Sequence, residues 1–378
     1  MTRLEHPLLS PSLGSQKTLV SFQYGDPQAR PKVYIQASLH AEELPGMLVA
    51  HHLRPQLEQA EREGRVRGHV VLVPAANPIG LAQRLDHKAM GRFELDTAQN
   101  FNRHYPDLAG AVFDAVRDRL TPDASGNVAL VRAAVTDWLA RWQPSTELES
   151  LRRELLVMAH DADVVLDLHC DWQAVLHLYA EEACWPPLEP LARLLGCQAV
   201  LLARNSGGGP FDECLSGLWW QLAERLQAVG VAHPLPQACA STTLELRGEA
   251  DVLHAHAVHD AAAIMDFLVH AGVLSGVPPA LPAPACAATP LAGSQTLHAP
   301  VPGVLVLHVN LGDTLAVGDL VAEVIDPTAP GASRVHRVEA GVAGVLYATI
   351  AGRYVVAGGE IGKIAGAHPF RTGDLLGA

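Results

Sequence analysis

Short runs of β-branched and other apolar residues alternate with longer segments of helical periodicity over the first 270 residues of the chain. The apolar runs predict strands at residues 18–23, 33–39, 70–74, 164–169, 175–179, 198–202 and 241–246. The periodic segments predict helices at residues 47–63, 151–160, 216–229 and 251–269. Strands that alternate with helices are typical of βαβ units, so the pattern predicts an α/β fold with a mixed, mainly parallel sheet flanked by helices.

The pattern changes near residue 275. Residues 276–298 are rich in proline and alanine, which is typical of a linker. After them, short apolar runs are separated by glycines, which predicts a small all-β unit. We therefore expect a large N-terminal domain at 1–275, a linker at 276–298 and a C-terminal β domain at 299–378.

Composition and charge exclude several classes of protein. The net charge of −13 and the absence of Lys/Arg runs argue against a nucleic-acid-binding surface. No stretch of about 18 residues is apolar throughout, so no membrane span is expected. The first residues lack the apolar segment of a signal peptide, and the six cysteines form no C-x-x-C pair. We therefore expect a cytoplasmic protein with reduced thiols.

Two of the predicted strands lead into groups that can bind a metal. One runs into His40 and Glu43, and another ends in His169. The H-x-x-E spacing by itself is also typical of a solvated acidic turn. Because ligands bind beyond the carboxyl ends of strands in open α/β sheets, His169 would complete a three-ligand zinc site with an open fourth position. Asp167 shares a strand face with His169 and could orient its imidazole, or could be satisfied by backbone N–H groups.

Two carboxylates are candidates for a general base. Glu245 lies in an otherwise apolar strand, where a carboxylate either faces solvent or is buried for a function. Glu42 competes with it, because Glu42 is adjacent to Glu43. Near zinc, either carboxylate could accept a proton from water, whose pKa zinc lowers to about 7.

A polar segment at residues 91–103 supplies candidate substrate-binding groups. Asn102 and Arg103 offer an amide and a guanidinium fork, which suit a substrate carboxylate. Arg92 could stabilise an oxyanion that develops beside the zinc. The same segment is also typical of a surface loop with exposed arginines.

These motifs follow one another in the order H-x-x-E, N-x-N-R, D-L-H and L-E-L. In this order, over roughly residues 33–270, the chain resembles the succinylglutamate desuccinylase/aspartoacylase family of zinc carboxypeptidase-like deacylases. The resemblance implies a zinc-carboxypeptidase-like fold and one Zn²⁺ per chain, with His40, Glu43 and His169 as its ligands.

The resemblance also assigns the remaining candidates. It implies Glu245 as the general base, Arg92 as the arginine that polarises the carbonyl, and Asn102 with Arg103 as the clamp for a carboxylate. Arg92 lies eleven residues before Arg103, which is further than in the aspartoacylases proper.

The C-terminal unit resembles a biotinyl/lipoyl-like β-barrel. Such a barrel carries its modified lysine in a hairpin, here near Ile325-Asp326-Pro327, and no lysine is found there. Lys363 is the only lysine of the unit. We therefore predict a barrel-like domain without a carrier function, which serves packing or shapes the entrance of the active site.

Together, the motifs and the resemblance predict a zinc-dependent amidohydrolase. Its substrate would be a small N-acyl amino acid or related compound that bears a carboxylate, and its products a carboxylate and a free amine. No nucleic-acid or membrane partner is expected, and homo-oligomerisation is left open. One alternative is a metallocarboxypeptidase that acts on peptides and needs an open groove. Another is a catalytically inactive zinc- or ligand-binding protein, which the retention of all four motifs disfavours.

Overall fold

A nine-stranded mixed sheet forms the centre of the N-terminal part in the structure, a computed structural model that describes residues 1–376. The strands of this part are β1 Thr2–Pro7, β2 Thr18–Gly25, β3 Lys32–Ala37, β4 His69–Val73, β5 Arg84–Leu85, β6 Lys88–Ala89, β7 Val164–Asp171, β8 Gln173–Ala174, β9 His177–Glu181, β10 Ala199–Ala203, β11 Ala240–Gly248 and β12 Ala288–Pro290. The large sheet has the order β1-β2-β4-β3-β7-β11-β9-β10-β12. Five of its eight strand pairs are parallel, which confirms the predicted mainly parallel sheet.

Helices cover both faces of the large sheet. They are α1 Pro45–Arg62, α2 Pro78–Leu81, α3 Leu108–Val116, α4 Ala124–Arg141, α5 Glu147–Ala159, α6 Trp185–Leu195, α7 Phe211–Ala228 and α8 His254–His270. The apolar faces of α1, α6 and α8 form one core with the sheet, and those of α3, α4, α5 and α7 form a second core. Within residues 1–376, no helix combines the length and the apolar character that a membrane crossing requires.

The C-terminal strands form two smaller sheets around a core of their own. They are β13 Ser294–His298, β14 Gly303–Leu307, β15 Thr314–Leu315, β16 Leu320–Ile325, β17 Val335–Glu339, β18 Gly344–Thr349, β19 Tyr354–Val355 and β20 Glu360–Gly366. The first sheet has the order β13-β20-β18-β15, and β8 of the N-terminal part also pairs with β18. The second has the order β17-β16-β14-β19. The C-terminal strands are thus attached beside the end of β7.

The proposed division of the chain into three units stays a prediction. Strand β12 falls in the segment predicted as a linker and forms a parallel pair with β10 at the edge of the large sheet. The next strand, β13, starts within the same segment and pairs with β20.

Helix α1 begins in close contact with the sheet at Gly46. A Cβ atom at this position would lie 3.0 Å from the Cβ of Leu168 and 3.1 Å from both the Cβ of Ala37 and the carbonyl oxygen of Leu168. Those atoms belong to β7 and β3 and are buried. Because Gly46 has no side chain, the start of α1 can pack directly against β3 and β7, the two strands that lead to His40 and His169.

Replacing Gly46 by alanine should lower the free energy of unfolding by about 1–3 kcal/mol, because the added methyl group overpacks a rigid contact. Gly352→Ala is the matched control, since a Cβ there has no heavy atom within 4 Å. Its effect should stay within about 0.5 kcal/mol. Urea unfolding followed by circular dichroism measures both midpoints. Equal midpoints for the two variants would show that α1 can move away from the sheet without cost.

Candidate active site

Three adjacent parallel strands bring candidate residues to one edge of the large sheet. Strands β3, β7 and β11 are hydrogen-bonded side by side, with Gln36 opposite Asp167 and His169 opposite Glu245. Residues that are directly opposite on neighbouring strands project to the same face of a sheet. The register therefore places the side chain of Glu245 beside that of His169, at the carboxyl ends of the strands.

The turn after β3 brings His40 and Glu43 to the end of β7. Ser38 has a left-handed backbone with a φ of 61°, and its hydroxyl donates to the Glu43 carbonyl oxygen at 2.9 Å. The Glu43 N–H donates to the His40 carbonyl oxygen at 3.1 Å, which closes a tight turn. The chain therefore folds back on itself, and both side chains point towards His169.

His40, Glu43 and His169 form a compact buried cluster. The Nδ1 atom of His40 lies 2.9 Å from Oε1 of Glu43, and the Nδ1 atom of His169 lies 2.7 Å from Oε2 of the same carboxylate. The exposed fractions of the three residues are 4%, 3% and 2%. One potential ligand atom from each residue lies within 4.8 Å of the other two, so the cluster could hold a metal ion.

The hydrogen bonds around His40 fix which nitrogen carries its proton. Its Nε2 lies 2.8 Å from Oδ1 of Asn100, and the same oxygen accepts the Asn102 N–H at 2.8 Å. Burial lowers the pKa of His40 to about 4, so its ring is neutral at neutral pH. Because Nε2 donates to Asn100, the lone pair of Nδ1 faces the Glu43 carboxylate. Nη1 of Arg92 lies against both acceptors, 3.4 Å from Nδ1 of His40 and 3.2 Å from Oε1 of Glu43.

His169 has carboxylates on both sides of its ring. Oδ2 of Asp167 lies 3.1 Å from Nε2, and the Glu43 carboxylate lies at Nδ1. Burial alone would lower the pKa of His169, but the two carboxylates outweigh it and raise the pKa well above its usual value. Without a metal, a proton therefore balances the charge of Glu43. A divalent cation would take the place of that proton, and two imidazole nitrogens with a carboxylate are a donor set that fits zinc.

Asp167 contacts the ring of His169 from the side away from Glu43. Its Oδ1 accepts a hydrogen bond from Nε2 of Gln36 at 2.9 Å, and Oε1 of Gln36 in turn accepts the hydroxyl of Tyr34 at 2.9 Å. That Asp167 orients the imidazole stays a prediction, because its Oδ2 lies 3.1 Å from Nε2 of His169 and neither atom makes a hydrogen bond within the described residues.

Glu245 and Glu42 differ in what they contact. Oε2 of Glu245 is buried and has no hydrogen-bond partner within the described residues. Burial, reinforced by the charge of Glu43, raises the pKa of Glu245 to about 8. Glu42 instead accepts the Gly91 N–H at 2.7 Å and so holds the loop that carries Arg92. Glu245 also lines the cavity that contains His40, Glu43 and His169, and Glu42 is not among the lining residues, so Glu245 is the better placed of the two to exchange a proton there.

The two arginines take different positions beside the cluster. Nη1 of Arg92 lies 3.2 Å from Oε1 of Glu43, so its guanidinium reaches the centre of the cluster. Arg103 is buried, with 9% of its surface exposed, and its Nη1 donates to the Asn102 carbonyl oxygen at 2.8 Å. Asn102 uses its side-chain oxygen to accept the Phe211 N–H at the start of α7, at 2.8 Å. This contact fixes the orientation of the side-chain amide, whose NH₂ group is the part that could donate to a carboxylate.

One cavity of about 330 Å³ connects all of these side chains. Its lining includes each residue that the sequence predicted for the site, namely His40, Glu43, Arg92, Asn102, Arg103, His169 and Glu245. The side chains predicted from separate motifs are therefore together, but their roles stay predictions.

Sequence reasoning missed three features of the cavity. Asn100 holds the ring of His40, and the N-x-N-R motif contains it, so the motif itself was a signal. Lys363 of β20 lies 2.9 Å from Oδ2 of Asp171 and lines the cavity, although the sequence showed only that it is the unit's single lysine. Leu375 and Leu376 also line the cavity, and no pattern indicated that the end of the chain returns to the site.

Comparison with known proteins supports the relationship that the motifs suggested. Residues 29–119 match the family model of the succinylglutamate desuccinylase/aspartoacylase catalytic domain. No curated protein sequence matches the chain significantly.

Solved structures match over nearly the whole chain. A succinylglutamate desuccinylase/aspartoacylase family protein from Shewanella amazonensis is 28% identical, with a TM-score of 0.84 over 97% of this chain and 98% of its own. A second such protein, from Shewanella frigidimarina, is 27% identical, with a TM-score of 0.82 over 97% of both chains. The ectoine utilization protein EutE (DoeB) from Ruegeria pomeroyi shares the fold at 17% identity, with a TM-score of 0.63 over 93% of this chain and 89% of its own.

The family match points to a deacylase-like hydrolase of the zinc carboxypeptidase-like superfamily, and hence to an enzyme. Through the catalytic-domain match at residues 29–119 and the fold shared over nearly its whole length, the chain is similar to proteins of the succinylglutamate desuccinylase/aspartoacylase family.

Proposed function

We propose that the protein is a zinc-dependent amidohydrolase that cleaves the amide bond of a small N-acyl amino acid and releases a carboxylate and a free amine. The observation that carries this proposal is the convergence of His40, Glu43 and His169 beside the unpaired oxygen of Glu245, in one cavity. A zinc ion held by the three residues would supply a Lewis acid that polarises a carbonyl group and lowers the pKa of water.

The proposed role of Glu245 is to move protons. Its buried Oε2 takes a proton from the attacking water and later gives it to the nitrogen of the leaving amine. The pKa of about 8 that burial causes would fall towards neutrality beside a divalent cation, because an opposite charge favours the carboxylate. A group that titrates near neutral pH can serve as base and acid in turn.

Arg92, Asn102 and Arg103 are proposed to bind the substrate at two places. The guanidinium of Arg92 reaches the cluster and would stabilise the oxyanion of the tetrahedral intermediate. Arg103, with the NH₂ group of Asn102, would bind the substrate carboxylate deeper in the protein. These contacts orient the amide between the two arginines.

The contribution of the C-terminal strands to the cavity wall favours a small substrate over a peptide. Residues from the C-terminal strands, including Lys363, form part of the wall, and β8 joins those strands to the end of β7. We infer that the predicted domain at 299–378 shapes the entrance of the site formed by the domain at 1–275. A carboxypeptidase would need a groove that remains open to a polypeptide.

A substrate screen tests the reaction. Zinc-loaded protein is incubated with N-acetyl, N-succinyl and N-formyl amino acids, and the released amine is quantified. We expect hydrolysis of at least one series, and none after dialysis against a chelator. Release of C-terminal residues from peptides, without hydrolysis of any N-acyl amino acid, would instead identify a carboxypeptidase.

A further inference from the structure

The described end of the chain lies over the cavity. We define the tail segment as residues 371–376. Its Leu375 and Leu376 line the cavity and pack against a small apolar core that contains Leu201, Leu291 and Tyr179. One wall of an otherwise polar cavity is therefore apolar, and the tail segment contributes to it.

The tail segment is held in place by specific contacts. The Leu375 N–H donates to the Ser206 carbonyl oxygen at 2.8 Å. Nη2 of Arg371 donates to the Leu375 carbonyl oxygen at 2.6 Å, and its Nη1 donates to that of Ser294 at 3.2 Å. A side chain at Gly207 would collide with Asp374, so the loop and the tail are closely packed. Arg371 thereby fixes the position of the apolar wall.

The loop at 206–209 connects this wall to Arg103. On one side it binds the tail segment through Ser206. On the other side, the His104 N–H donates to the Gly208 carbonyl oxygen at 2.9 Å, and a Cβ at Gly208 would lie 2.8 Å from Cδ of Arg103. Arg103 and the tail segment therefore flank the same short loop. A substrate whose carboxylate is bound by Arg103 has its neighbouring carbon substituents close to the apolar wall.

We propose that Leu375 and Leu376, which form the tail pocket together with the buried Leu201 and Leu291, bind an apolar side chain on the amine half of the substrate. This inference rests on the proposed function and names its substrate class, the N-acyl derivatives of aliphatic or aromatic amino acids. A second carboxylate in the tail pocket would lose its hydration against leucines. The nearby cations are engaged, since Arg371 binds two carbonyl groups and Lys363 lies 2.9 Å from Asp171 and 3.3 Å from Glu360.

Two measurements on the unmutated protein test the tail pocket. The first compares kcat/KM of the zinc-loaded enzyme for N-acetyl-leucine, N-acetyl-methionine and N-acetyl-phenylalanine with that for N-acetyl-serine, N-acetyl-aspartate and N-acetyl-glutamate. We expect at least about a tenfold preference for the apolar group, the discrimination typical of an apolar pocket. The second measures binding of N-acetyl-leucine and N-acetyl-aspartate to the metal-free protein by calorimetry, where the same order is expected.

A pair of variants tests whether the tail pocket causes the preference for apolar side chains. Leu375→Asp places a charge in the tail pocket and should lower the ratio of kcat/KM for N-acetyl-leucine to that for N-acetyl-serine by about 10-fold or more. Thr372→Asp adds the same charge at an exposed position of the tail segment and should leave the ratio unchanged.

The outcomes separate this inference from the proposed function. Preferred hydrolysis of the acidic substrates, or an unchanged ratio in Leu375→Asp, overturns the tail pocket and leaves the amidohydrolase intact. If no N-acyl amino acid is hydrolysed, the proposed function fails. Calorimetry then still decides which side chain the cavity accepts, and tighter binding of N-acetyl-aspartate contradicts the tail pocket.

Discussion

Replacing Glu245 by glutamine should lower kcat by about 10²–10⁴, the usual share of general acid–base catalysis, while bound zinc stays in place. Glutamine keeps the size of the side chain and loses the ability to accept the proton. Oε2 of Glu245 has no partner among residues 1–376 and lies in the cavity beside the metal cluster, so no hydrogen bond is lost with the charge. Steady-state kinetics on the best substrate of the screen, with zinc content measured on the same sample, provides both readouts.

Glu42→Gln is the matched control. Its side-chain oxygen can still accept the Gly91 N–H, which Glu42 binds at 2.7 Å, so the loop that carries Arg92 should stay in place. We expect kcat within a few-fold of the wild-type value, since no proton transfer depends on this group. If Glu42→Gln were inactive and Glu245→Gln nearly fully active, the base would be Glu42.

Arg92→Ala and Arg103→Ala should affect different kinetic parameters. Arg92 contacts Glu43 at the proposed metal centre, and the oxyanion that it is proposed to stabilise would exist only along the reaction path. Loss of Arg92 should therefore lower kcat by about 10²–10³. The carboxylate that Arg103 is proposed to bind is present in substrate and transition state alike. Loss of such a uniform contact should mainly raise KM.

Separate effects on kcat and on KM distinguish these two binding roles from a purely structural role of the arginines. Arg103 is buried, so the stability of its variant is measured by urea unfolding before its kinetics. Arg103→Lys keeps the charge without the fork and should recover only part of the affinity. An effect of Arg92→Ala on KM alone, with kcat unchanged, would contradict the assignment of Arg92 to the oxyanion.

The position of the site followed from the sequence because it depends on strand ends. His40, His169 and Glu245 each lie at or near the carboxyl end of an apolar strand, and parallel strands bring such ends to one edge of a sheet. The order of the strands in the sheet could not be predicted in this way. The observed register places Glu245 directly beside His169. Local periodicity and a rule of sheet architecture were therefore sufficient to group these residues.

Features that depend on long-range packing could not be predicted in this way. Lys363 contacts Asp171, and Leu375 contacts Ser206, across large separations in sequence that no local pattern records. Helix α6 was also absent from the prediction, because its prolines resemble a loop, although proline is tolerated in the first helical turn. Pro190 lies further inside α6, and the helix ends at Gly196 with a left-handed φ of 73°. The long-range contacts of Lys363 and Leu375, and not helix α6, explain why the wall of the cavity was missed while its catalytic candidates were found.

The zinc content of the purified protein tests the proposed metal centre most directly. We expect about one zinc per chain, and His40→Ala and His169→Ala should each remove most of it, because each takes away one of three ligands. Glu245→Gln serves as the control that keeps all three ligands and should retain the metal. Full zinc occupancy in a variant that carries both His40→Ala and His169→Ala would contradict the metal centre.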